Sequence, residues 1–130
     1  MNKIVEKRFL QALMMIGCLV PVAGSLQGIA FGAGMSGHPA DITLDSHVRY
    51  LSGLLFGIAF GFASAIPTIE KMGYRVGLLS AIVVTGGLAR LYGMFVDGLP
   101  KPVMIFALVM ELGVVPTLWL LQKRVARQWM

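Results

Sequence analysis

The sequence predicts an all-α integral membrane protein, a bundle of four transmembrane helices with both termini cytoplasmic. Three observations predict it. The 130 residues are 57% hydrophobic and 13% charged, with a mean hydropathy of +0.80, whereas a soluble domain carries roughly 25% charged residues. The apolar residues gather into four runs, each near the ~20 residues a helix needs to cross the hydrocarbon. Lys and Arg gather in alternate joints between those runs. A soluble domain this small has too much surface to hide so many apolar side chains. Residues 1–130 read as a single domain.

The first run spans about 9–30 and is interrupted by Pro21. Its basic start (Lys3, Lys7, Arg8) resembles that of a signal peptide, for which a cleavage site would follow Ala23 or Ala30. Apolar sequence continues to Ala30, which favours a retained anchor. Cys18 stands alone in this run, so no intramolecular disulfide and no zinc spacing exists. After it comes the longest loop, about Gly32 to His47, rich in Gly and holding His38, Asp41, Asp45 and His47. The second run, about 48–66, is capped by Asp45 or Ser46 and stops at Pro67. A short turn from Pro67-Thr68 leads to the third run, about 76–96. Asp97-Gly98-Leu99-Pro100 then makes a tight connection, with Gly98 suited to a helix C′ position and Pro100 or Pro102 to the next first turn. The fourth run spans about 103–121. Backbone polar groups have no water partner in lipid, so helix is the state expected of all four.

Charge sets the orientation. With the N-terminus inside, the inner segments hold Lys3, Lys7, Arg8, Lys71, Arg75, Lys123, Arg124 and Arg127, and the outer ones hold Lys101 and Arg49. This is the positive-inside pattern. The net charge of +5 punctuates the apolar runs and forms no single basic face, so juxtamembrane anchoring is expected and nucleic acid is not.

Two features invite a functional reading. Gly53, Gly57 and Gly61, like Gly24, Gly28 and Gly32, repeat at four-residue spacing. Such residues share one helix face and let another backbone approach. Packing within a subunit and contact between subunits both fit. A homo-oligomer is expected; a trimer is taken as its stoichiometry because compact four-helix units pack readily about one axis, though a dimer uses the stripes equally well. The second feature is charge at membrane depth. Arg90 lies about two turns from the end of its run and Glu111 near the middle of the next. An unpaired group there costs about 2.5–3.5 kcal/mol on insertion scales, so both are expected to face protein. Arg49, Arg90, Asp97 and Glu111 are expected to form one polar cluster in the outer half, with Tyr50 and Tyr92 adding hydroxyls. That cluster either fixes helix register or binds an anionic headgroup, a polar lipid-like molecule or a proton.

His47-Val48-Arg49-Tyr50 with Gly53 and Gly57, then Gly86-Gly87-Leu88-Ala89-Arg90, Asp97-Gly98-Leu99-Pro100 and Glu111 form an ordered pattern. It resembles a bacterial four-helix membrane family classed as domain of unknown function 4345, with a distant likeness to DoxX-like proteins. The resemblance implies a four-helix bundle in a bacterial cytoplasmic (inner) membrane and brings no established reaction.

There is no Gly-rich phosphate loop, no Ser–His–Asp set and no H-E-x-x-H in the chain. Neither His sits where it would ligate haem inside a bundle. The nine Met residues, including Met14, Met15, Met94, Met104 and Met110, are scattered like core filler. No cofactor, no metal and no enzymatic activity is expected. Membrane lipid is the expected partner, and support of envelope integrity or lipid handling the expected role. The alternatives are a proton-coupled small-molecule transporter using Glu111 and an accessory subunit of a larger membrane complex. Small four-helix drug exporters carry their essential Glu in the first helix, where this chain has none within the run.

Overall fold

The structure is a computed structural model that describes residues 2–36 and 41–130. The described residues are helical nearly throughout. Helix α1 runs Lys3–Phe31 and is followed by a 3-10 turn, Gly32–Ser36; α2 runs Ile42–Ala65. A second 3-10 turn, Ile69–Lys71, leads into α3, Gly73–Asp97. The last rod comprises α4, Pro102–Val109, a π-helical turn, Met110–Val114, and α5, Val115–Gln128. Four helical stretches are long and apolar enough to cross a membrane: Lys3–Gly34, Ile42–Ala65, Gly73–Asp97 and Pro102–Gln128.

The four runs are thus helices, but their ends move outward. Apolarity marks only the part that needs lipid, whereas hydrogen bonding carries a helix on until a cap or a proline stops it. Pro21 lies inside α1, as the first run placed it. Two local expectations are corrected. The cap of α2 is Asp41, not Asp45 or Ser46: its side chain accepts from the N–H groups of Thr43 and Leu44. The stretch expected as an irregular loop to His47 therefore already contains a 3-10 turn and the first turns of α2; His38 lies outside the described residues. The other joints follow their chemistry. Gly98, at φ +95°, closes α3 by donating its N–H to Met94 O at 3.0 Å, and Pro102 opens α4, where a missing N–H costs nothing.

The chain divides into two compact units, residues Met1–Gln11 with Pro67–Met130, and residues Ala12–Ile66. In the first, α3 lies antiparallel to the last rod. Gly73 meets the carboxamide of Gln122, Gly77 meets Trp119, and Gly87 meets Leu112 and Glu111. A Cβ on Gly87 would stand 2.8 Å from Leu112 Cδ2 and 3.0 Å from Glu111 Cβ, so this position holds the two helices close. In the second unit, Gly28 of α1 faces Ser52 of α2, and Cys18 Sγ lies 3.9 Å from Ala59 O.

Candidate functional site: an arginine–glutamate pair at membrane depth

Arg90 and Glu111 meet in the first unit, from α3 and the π-helical turn. Arg90 Nε donates to Glu111 Oε2 at 3.2 Å and Nη2 to Oε1 at 3.1 Å. This is the two-pronged geometry by which a planar guanidinium matches a carboxylate. Arg90 Nη1 turns to the thioether of Met104 at 3.1 Å, a weak acceptor. The side chains keep 35% and 20% of their surface exposed.

The local sequence explains the placement. Pro116 has no N–H to give to the carbonyl of Leu112, and its ring crowds that carbonyl. The chain widens just before it, and Val115 N–H bonds to Met110 O, one residue further back than in an α-helix. The widened turn carries Glu111. Turns of this kind recur at functional sites. On the facing helix, Gly87 lies one turn before Arg90 and clears the space into which Glu111 Cβ and Leu112 fit. Neither Gly87 nor Met104 was singled out from sequence as part of this site. The adjacent Gly86-Gly87 was the available signal for Gly87; Met104 carried none.

The remaining members of the expected cluster have these surroundings within their own units. Arg49 has its partners in the second unit. Its Nε donates to Asp45 Oδ2 at 2.8 Å, and its Nη1 to Ile29 O and Ala30 O, the latter at 3.3 Å. Asp45 Oδ1 also accepts from Ala33 N–H at 2.9 Å. Arg49 thus caps the last turn of α1, whose carbonyls have no partner within the helix. Gly32, at φ +55°, turns the chain there and leaves room for Asp45. Asp97 is exposed at the end of α3. Tyr50 and Tyr92 are 65% and 71% exposed. Spacing along a helix predicts a shared face but not which side chains reach across it.

The glycine stripes divide too. Gly28 is approached closely by Ser52, whereas a Cβ on Gly24, Gly53 or Gly57 would meet nothing within 4 Å. No group of three or more potential metal ligands occurs among the described residues.

At the end bearing the termini, a second set of polar contacts joins three segments. Lys7 Nζ lies 3.0 Å from Glu70 Oε2. Arg124 grips Glu6 through Nε and Nη2 at 3.0 and 2.9 Å, and Gln128 adds a bond to Glu6 at 2.8 Å. Lys3 and Lys7 stack on Trp129, each 4.7 Å from the ring centre. Burial pushes the Glu70 carboxyl up, but its own backbone N–H and Lys7 outweigh that and hold it below the usual carboxylate range.

Helices of this length and composition, with an ion pair held between two of them, define a small multi-pass membrane protein. A family model described as a domain of unknown function (DUF4345) matches residues 6–122. The chain belongs to that family. No curated protein and no solved structure matches it.

Proposed function

We propose that this is a non-enzymatic, multi-pass protein of a bacterial inner membrane, with both termini cytoplasmic, that self-associates, as a trimer, and handles lipid in support of the envelope. Its site is the Arg90–Glu111 pair, which engages the polar headgroup of a lipid-like molecule. One observation carries this reading. Arg90 is tied to Glu111 by Nε and Nη2, yet among the described residues Nη1 has only a thioether partner, and a third of the side chain is open. A guanidinium at membrane depth with unspent donors attracts a phosphate or carboxylate oxygen. The open faces of Gly53 and Gly57 support self-association, since a second backbone has room there.

Purification in mild detergent followed by lipid extraction tests the site. Wild-type protein should retain a polar lipid that Arg90→Ala loses; equal lipid content in the two would end the reading. Native mass spectrometry of the same samples reads the subunit number, and a monomer in every mild detergent would remove self-association. Loss of proton-driven uptake in proteoliposomes on Glu111→Gln would favour the transporter alternative instead. Recovery of a fixed second protein in pull-downs would favour the accessory-subunit one.

A further inference from the structure

A second lipid site follows from the end of the first unit that bears the termini, independently of the Arg90–Glu111 reading. A cleft of about 170 Å³ opens there between the start of α1 and the end of α5, lined by Glu6, Phe9, Leu10, Leu121, Arg124 and Val125. Leu10 and Val125 are buried and form its floor, while Phe9 is 56% exposed and forms a wall. Leu121 and Val125 are four residues apart, so both face it from one side of α5. The cleft is therefore apolar within and polar at one rim.

That rim is the Arg124–Glu6 pair, and the end of the unit around it is basic. The segments meeting here carry Lys3, Lys7, Arg8, Lys71, Arg75, Lys123, Arg124 and Arg127 against Glu6 and Glu70. Both acids already have partners, Glu6 in Arg124 and Gln128 and Glu70 in Lys7. The Arg124 side chain is 65% exposed, and its bonds to Glu6 use Nε and Nη2, so that among the described residues Nη1 is left over from the pairing. An apolar slot with an exposed arginine at its rim, at the basic end of a membrane-spanning helix, complements one kind of molecule. We propose that the cleft binds an anionic phospholipid, with the upper part of an acyl chain against Phe9, Leu10, Leu121 and Val125 and the phosphate on Arg124 Nη1.

Native mass spectrometry of the full chain in mild detergent tests this, using phosphatidylglycerol and phosphatidylcholine with identical acyl chains. Wild-type protein should retain phosphatidylglycerol preferentially, and equal retention overturns the proposal. Arg124→Gln should reduce the preference about five-fold, and Arg124→Lys should restore part of it. Arg127→Gln removes the same charge outside the cleft lining and should cost less; equal losses would mean diffuse surface attraction and no site. Leu121→Trp fills the slot without changing charge and should lower retention of both lipids. Unchanged retention in Leu121→Trp would place the lipid elsewhere and also overturn the proposal. Arg90→Ala should lower the total lipid retained by the loss at its own site, while Arg124→Gln should still reduce the preference for phosphatidylglycerol in that background, which separates this site from the one at Arg90.

Discussion

Of the arginines that hold a carboxylate, Arg49 and Arg90 do so in opposite ways. Arg49 pairs with Asp45 one turn earlier on its own helix, at 2.8 Å. Arg90 pairs with Glu111, a residue of the facing rod, at 3.1 Å. The first pair is an adjunct to a helix end. Asp45 takes the N–H of Ala33, and Arg49 takes the carbonyls of Ile29 and Ala30, so the pair ties off the backbone where α1 stops. The second pair caps nothing. It lies within two membrane-spanning helices and depends on a widened turn and a glycine to exist. The difference teaches that a charge near a membrane helix end can be consumed by backbone groups, while one placed deeper needs a side-chain partner from another helix.

Breaking the deeper pair should have the largest effect. Glu111→Ala leaves Arg90 without a counter-ion and should destabilise the protein by about 3 kcal/mol, read as a lowered thermal midpoint in detergent. Replacing both partners by apolar residues, Arg90→Met with Glu111→Leu, should recover most of that loss, because a charge with no partner costs more than the pair contributes. If the double variant is no better than the single one, Arg90 is held by something other than Glu111.

The contact that brings the helices together should come next. Gly87→Val places carbon where Leu112 and Glu111 Cβ now lie and should cost about 1–3 kcal/mol. Gly57→Val meets open space and should leave thermal stability of the monomer unchanged. Equal effects of the two would mean that the α3 contact is not close. If Gly57→Val instead changes the cross-linked species in membranes, the open face of α2 is occupied by a second copy.

The smallest effect belongs to the local pair. Asp45→Asn keeps an acceptor for Ala33 N–H and weakens only the ionic part, so it should lower the thermal midpoint least of all the charge variants, as exposed pairs do. Arg49→Ala should cost more, about 1 kcal/mol, because two carbonyls lose a donor. Should Asp45→Asn match Glu111→Ala in the same thermal assay, the contrast between the two pairs collapses.

Much of the architecture was readable in residue order. Four runs of suitable length, Pro67, Gly98 and Pro102 were enough for the number of helices and two of the joints. The start of α2 was misplaced because Asp41, Asp45 and Ser46 are all competent caps, and only backbone geometry selects Asp41. For the site, Arg90 and Glu111 were recognisable because charge inside an apolar run is costly. The surroundings of Arg49, Asp97, Tyr50 and Tyr92 were less legible, since backbone groups or solvent compete for each of them.

The sequence alone thus determined solvent, element type and element number, because these follow from summed transfer free energies and backbone hydrogen bonding, to which every residue contributes independently of its distant neighbours. Only the tertiary structure decided which carboxylate meets which arginine. That choice rests on offsets of a few ångströms: the extra residue per turn ahead of Pro116 that carries Glu111, and the missing Cβ at Gly87 that lets α3 come close to it. Each offset starts from one residue, Pro116 or Gly87, but it decides a partner only when two helices share a space.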